Sequence, residues 1–236
     1  MTETTVRRFA DPDEVAVAAA ALFRNVVVAA QRARGSAAVV LTGGGVGIAT
    51  LAQLRDEPGE VDWRQLDIYW GDDRFVPGAD PDRNELQARH ALLDHVSVDP
   101  ARVHAISASD GPQPDPADAA AAYAQLLPDR FDLHLLGMGP EGHVNSLFPH
   151  TDAVRETALS VVAVTDSPKP PPIRVTLTIP AIRRAHTVCL TVTGAAKADA
   201  VAAAIGGADP VDVPAAGAQG SAETVWLLDR SAAGRL

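Results

Sequence analysis

Residues 37–50 read AAVVLTGGGVGIAT. A run of small and β-branched apolar residues (37–42) stops at consecutive glycines, and a helical pattern takes over from Gly47 to Arg55. An apolar run of that length closed by glycine reads as a buried strand. A strand that passes through a glycine turn straight into a helix is the repeating unit of parallel α/β sheets.

The same alternation extends in both directions. Upstream, Asp13 to Arg34 reads as a helix ended by Gly35. Downstream, strands are predicted at LDIYW (66–70), RVHAI (102–106), FDLHLL (131–136), SVVAV (160–164), RVTLT (174–178), TVCLTV (187–192) and TVWLL (224–228). Helices are predicted at 84–96, at 115–127 with Asp115 as cap and Pro116 in the first turn, and at 195–205. Apolar strands alternating with helices predict an α/β fold with a mainly parallel sheet covered on both faces. The chain has 236 residues, which allows one large unit or two small ones. SPKPPPIR (167–174) and 206–220 read as ordered loops and no internal repeat is visible, so a single domain over 1–236 is expected.

Bulk composition removes several classes of function. Thirty acidic residues against twenty basic ones give a formal net charge of -10, and no basic run offers a face for nucleic acid. A small anion remains a suitable ligand where a few cations converge in one pocket. The one cysteine, Cys189, lies in an apolar run and reads as a buried hydrophobe, so neither a disulfide framework nor a cysteine-based zinc site is expected. The seven histidines show no His-x3-His or His-Glu-x-x-His spacing, so no metal is expected. The N-terminal MTETTVRRFADPDE has no apolar leader pattern, and VAVAAAALFRNVVVAA (15–30) is interrupted by Arg24 and Asn25. Together these predict a cytoplasmic protein without a membrane partner.

In open α/β sheets, ligands bind beyond the carboxyl ends of the strands. Four loops lie there. Gly43, Gly44 and Gly45 bring backbone N–H groups and a helix start together, suited to a phosphate or simply to a tight turn. No Gly-Lys-Ser/Thr follows, so this is not a P-loop. Asp72, Asp73 and Arg74 follow the strand at 66–70, as an arginine held by carboxylates or as a solvated turn, with Asn84 a helix cap. GMGPEGHVNSLFP (137–149) carries His143, which either satisfies a turn or moves a proton, with Glu141 placed to orient it. In the fourth, Arg174 shares one strand face with Thr176 and Thr178, and Lys197 sits in the first turn of a helix, where a cation opposes the helix dipole unless an anion binds there.

Taken together, the four loops resemble the 6-phosphogluconolactonases. The carrying segments are Gly43-Gly44, Trp70 through Arg74, Gly137 through Pro149, Arg174 through Thr178, and Gly194 through Ala198, in the family's order over nearly the whole chain. The third is the most specific. Departures from the family pattern are Gly45-Val46 for Ser-Thr, Asp73 for glutamate, Glu141 for aspartate, and Val144-Asn145 for smaller residues.

The resemblance implies a Rossmann-like fold related to the glucosamine-6-phosphate deaminases. It implies hydrolysis of 6-phospho-D-glucono-1,5-lactone to 6-phosphogluconate in the pentose phosphate pathway, without metal or organic cofactor. It further implies His143 as general base with Glu141 beside it. Gly43, Gly44, Gly45, Asp73, Arg74, Asn84, Arg174 and Lys197 would hold the phosphorylated sugar lactone, in a monomer or weak homo-oligomer. The alternatives are a sugar-phosphate isomerase or deaminase and a non-catalytic sugar-phosphate-binding module. Ser146-Leu147-Phe148-Pro149 stands where deaminases carry Phe-Asn-Glu-Pro, so the ring-opening glutamate is missing.

Overall fold

Six parallel strands form the centre of the protein, in a computed structural model that describes residues 3–236. They are β1 (Glu3–Phe9), β2 (Ala37–Leu41), β3 (Leu66–Trp70), β5 (Phe131–Gly137), β8 (Ala185–Val192) and β9 (Glu223–Asp229). Their order across the sheet is β1-β9-β8-β5-β2-β3, and every neighbouring pair is parallel. A second sheet is antiparallel, in the order β4-β7-β6, from β4 (Asp72–Arg74), β6 (Val161–Val164) and β7 (Arg174–Leu177).

The helices are α1 (Pro12–Arg34), α2 (Gly45–Asp56), α3 (Asn84–Ala91), α4 (Pro116–Leu126), α5 (Asp152–Arg155), α6 (Ile179–Ile182) and α7 (Ala198–Ile205). The first shows how local sequence fixes its ends. Asp11 accepts from Glu14 N at 3.0 Å, Pro12 opens the first turn, and Gly35, left-handed at φ 82°, donates to Gln31 O at 2.7 Å. Val15, Ala19, Phe23 and Val27 recur every fourth residue and are fully buried, so one stripe of α1 seals the sheet. β2 and β5 are buried almost throughout, as expected of strands covered on both faces.

The parallel core follows the sequence reading; the second sheet was not foreseen. Only nine residues lie between Val164 and Arg174. That is too short for a parallel crossover, so β6 and β7 pair antiparallel outside the main sheet. Gly71 links the two sheets, donating to Leu41 O at 3.1 Å and accepting from Leu177 N at 2.8 Å. β1 was also missed, because it is a largely exposed edge strand without apolar alternation. Residues 102–106 are not a strand: one bridge joins Val103 to Ile68, and a 3-10 turn covers Pro100–Arg102. The helix expected over 84–96 stops at Ala91, where Leu92 turns to φ -144° and a 3-10 turn takes over.

The loops that leave β2, β3, β5 and β8 emerge at one end of the sheet. They bring Thr42 to Gly45, Asp72, Arg74, Gly137 to Pro140, His143, Asn145 and Lys197 to a single cavity.

Candidate active site

The cavity holds about 240 Å³. Gly43, Gly44, Gly45, Arg74, Asn84, His143, Arg174 and Lys197 all line it. Of the residues singled out in the sequence, Asp73 and Glu141 are absent from its wall.

The glycine loop is shaped by close approach. Gly44 is left-handed at φ 82°, and a Cβ on Gly43 would fall 2.0 Å from Asn84 Oδ1. Gly45 opens α2, whose first N–H groups have no partner within the helix.

Arg74 is aimed by its neighbours. Its Nη1 donates to Asn84 Oδ1 and to Asp82 O, both at 2.7 Å. The Asn84 amide donates in turn to Asp72 O at 2.9 Å and Asp72 Oδ1 at 3.1 Å. Asn84 is therefore a splint between Arg74 and Asp72, and the cap of α3 comes from elsewhere.

That cap is Asp73, which the sequence reading placed among the ligand-holding residues and which lies beneath the start of α3, outside the cavity wall. Its side chain is fully buried. Oδ1 accepts from Asn84 N at 2.7 Å and Arg74 N at 2.8 Å, Oδ2 from Glu85 N at 3.2 Å, and Arg83 lies 3.3 Å away. A carboxylate aspartate fits this enclosed cradle beneath the helix start. Asp73→Asn is expected to lower stability by about 1–3 kcal/mol, since it breaks hydrogen bonds to a charged group. Denaturant unfolding reads the loss, and KM for the ligand should move little.

His143 sits in a loop folded back on itself. Gly139 N donates to His143 O and Gly142 N to Gly139 O, each at 3.0 Å. The ring stacks on Phe148 with centroids 4.5 Å apart. Nδ1 faces Glu141 Oε1 at 3.2 Å, which assigns its proton to that carboxylate contact and leaves the lone pair on Nε2. Lys169 Nζ lies 2.8 Å from the same carboxylate oxygen and 3.5 Å from His143 Nδ1. Burial pulls the His143 pKa below its ordinary value, the Lys169 ammonium adds to this, and Glu141 opposes it. Burial alone would raise Glu141, but the hydrogen bond from Lys169, a backbone N–H and His143 together hold it below the usual carboxylate range. The result is a neutral imidazole at neutral pH, tethered through one nitrogen.

Arg174 is largely spent on the chain itself. Nε donates to Pro171 O at 3.0 Å, Nη2 to Lys169 O at 3.0 Å and Pro170 O at 3.1 Å, and Nη1 reaches Ser146 Oγ at 3.4 Å. It fixes the proline loop that carries Lys169. Lys197 ends a 3-10 turn ahead of α7 rather than lying within the helix. Burial lowers its pKa and so does Lys169, against Asp229. Asp229 also holds the turn, accepting from Gly194 N at 3.1 Å, where φ is 99°.

Sequence reasoning missed Lys169, and it named Asp72 only as a carboxylate beside Arg74, choosing Asp73 for the ligand-holding set. The signal for Lys169 was a cation pinned among prolines just ahead of Arg174. Asp72 is 6% exposed, lines the cavity and accepts from Ser146 Oγ at 2.7 Å. Its sequence neighbour Asp73 offered the same chemistry, and only strand alternation separates them. Among the described residues, no three His, Cys, Asp or Glu side chains converge in a way that suits a metal ion.

The model of the glucosamine-6-phosphate isomerases/6-phosphogluconolactonase matches residues 10–226. The chain belongs to this family. Its relatives include the 6-phosphogluconolactonase of Mycobacterium tuberculosis, 53% identical over 243 residues, covering 99% of this chain and 98% of the relative. That of Streptomyces coelicolor is 52% identical, covering 96% and 92%. The solved 6-phosphogluconolactonase of Trypanosoma brucei superposes with a TM-score of 0.87 at 26% identity over 100% of both chains. A monomeric glucosamine-6-phosphate deaminase shares the fold at a TM-score of 0.83 and 22% identity, covering 98% of this chain and all of its own. The family match spans every cavity-lining loop described above.

Proposed function

We propose that the protein hydrolyses 6-phospho-D-glucono-1,5-lactone to 6-phospho-D-gluconate in the oxidative pentose phosphate pathway. The observation that carries the mechanism is His143, tethered to Glu141 through Nδ1, in the wall of a cavity that also presents Arg74 and Lys197.

Nε2 takes a proton from a water as the water oxygen attacks the lactone carbonyl. The carbonyl oxygen becomes a tetrahedral oxyanion, which donors and cations of the cavity stabilise. The oxyanion collapses, the bond from carbonyl carbon to ring oxygen breaks, and the imidazolium protonates the departing oxygen. The product acid then loses its own proton to solvent, and His143 is neutral again. Glu141 stabilises the transient imidazolium. The start of α2, Arg74 and Lys197 hold the phosphate. Anchoring that remote group also places the carbonyl near His143. This acts in the cytoplasm, in a single-domain monomer or weak homo-oligomer, on a small phosphorylated sugar and not on nucleic acid. Among the described residues no helix is long and apolar enough to cross a membrane.

The test is a coupled assay read above spontaneous opening, with phosphorylated and unphosphorylated lactones in parallel. Turnover of the phosphorylated lactone alone supports the reading, and none with either lactone overturns it. Lys197→Ala is expected to raise KM for the phosphorylated lactone by about tenfold or more, the loss of a charge-assisted contact, with kcat changed less. An equal loss on the unphosphorylated lactone would place Lys197 elsewhere. Arg174→Ala should weaken binding too, and it should also loosen the loop that carries Lys169.

A further inference from the structure

Lys169 Nζ sits 2.8 Å from Glu141 Oε1, 3.1 Å from Oε2 and 3.5 Å from His143 Nδ1. One ammonium therefore spans both carboxylate oxygens, while Oε1 also faces His143 Nδ1 at 3.2 Å. Lys169 is not among the residues of the cavity wall. Its Nζ stands 5.8 Å from the centroid of the Phe148 ring, on which the His143 ring is stacked. The loop presents this side chain from a fixed backbone. The Lys169 N–H donates to Ser167 Oγ at 3.3 Å, and its carbonyl accepts from Arg174 Nη2 at 3.0 Å. Ser167 N closes the turn onto Pro172 O at 3.0 Å. Pro170, Pro171 and Pro172 follow directly, so the segment has few torsions left to move.

Neither stability nor basicity accounts for this arrangement. The side chains of Lys169 and Glu141 are 40% and 33% exposed, and an ion pair so open to water adds little to stability. The ammonium also works against the base. It repels the imidazolium that His143 must become and so lowers its pKa, while Glu141 and Asp72 are the charges that favour the imidazolium. What the ammonium supplies is a fixed place for the carboxylate. A glutamate has three side-chain torsions, and one this exposed can swing its carboxylate into solvent. Lys169 closes that route. Gly139 leaves the room, since a Cβ there would lie 2.7 Å from Glu141 Oε2.

We propose that Lys169 is a positioning residue, whose ammonium clamps the two oxygens of Glu141 and so keeps Oε1 on His143 Nδ1. Held there, the ring keeps its proton on Nδ1 and its lone pair on Nε2. The catalytic consequence rests on the lactonase reading above; the clamp itself does not.

Lys169→Met keeps an apolar stem and removes the ammonium. It is expected to lower kcat about tenfold or more on the plateau above the acid limb, with KM within about twofold. A merely electrostatic neighbour would do the reverse, because its loss makes His143 the stronger base. Lys169→Arg, which keeps the cation and offers paired donors to a carboxylate, should retain most of kcat. In a Glu141→Gln background, Lys169→Met should cost little more, because no carboxylate is left to hold. In proton–nitrogen spectra of the parent, the His143 Nδ1–H should exchange slowly, and Lys169→Met should lose that signal. The melting temperature should stay close to the parent, since both side chains are partly exposed. Plateau kcat at or above the parent's in Lys169→Met would reduce the ammonium to a bystander charge and overturn the clamp. So would an unaltered Nδ1–H signal, an equal loss in the Glu141→Gln background, or a melting temperature that falls in step with kcat. If the parent opens no lactone, the functional reading fails and the spectra still decide the clamp.

Discussion

His143→Ala is expected to lower kcat by on the order of 10²–10⁴, the range for a lost general base, while affinity for 6-phosphogluconate is retained. Binding survives because Arg74, Lys197 and the start of α2 lie on other loops and take no support from the imidazole. The pH profile gives an independent readout. The base works only when neutral, so kcat/KM falls as pH drops through the pKa of His143. Burial and Lys169 place that pKa below 6.5, so the acid limb lies below the position of an ordinary histidine. In His143→Ala the limb should vanish. Removing the ammonium in Lys169→Gln relieves repulsion of the imidazolium, so the limb should move to higher pH. Removing the carboxylate in Glu141→Gln should move it lower and slow turnover, since the ring loses its tether. Turnover in His143→Ala equal to the parent would take the imidazole out of the mechanism.

What the sequence conveyed about this site was the set of loops, because each loop follows a strand whose apolar run is unmistakable. AAVVL, LDIYW, FDLHLL and TVCLTV are legible since strands covered on both faces are mostly apolar. Elements whose stability comes from distant partners were harder to read. β1 pairs with β9 at the opposite end of the chain and stays exposed, so nothing in ETTVRRF marks it. β4 is three charged residues long and exists because β7 lies alongside it. The same limit applied to the side chains. Asp72 and Asp73 are equal in sequence, but in β4 they point to opposite faces, one into the cavity wall and one beneath α3. Lys169 reaches Glu141 across twenty-eight positions, a contact set by Arg174 gripping the carbonyls of the proline loop. Local pattern carries the first kind of information; only tertiary packing carries the second.

Gly139→Ala is expected to cost nearly as much activity as the loss of His143 itself, on the order of 10² or more for a displaced base. A Cβ at position 139 would fall 2.0 Å from both Cε1 and Nδ1 of His143 and 2.7 Å from Glu141 Oε2. Real atoms do not approach so closely, so the ring and its carboxylate must leave their places together. Backbone strain is not the cause, because Gly139 is outside the left-handed region that Gly142 occupies at φ 85°. The atoms in the way all belong to two side chains at the cavity edge, so the fold can absorb the methyl group. Gly139→Ala should therefore melt close to the parent while kcat collapses. Adding Gly139→Ala to His143→Ala should cost little more, because the first change acts through the ring that the second has removed. Additive losses in that double variant would instead show that Gly139 serves the site by another route, such as its N–H contact with His143 O.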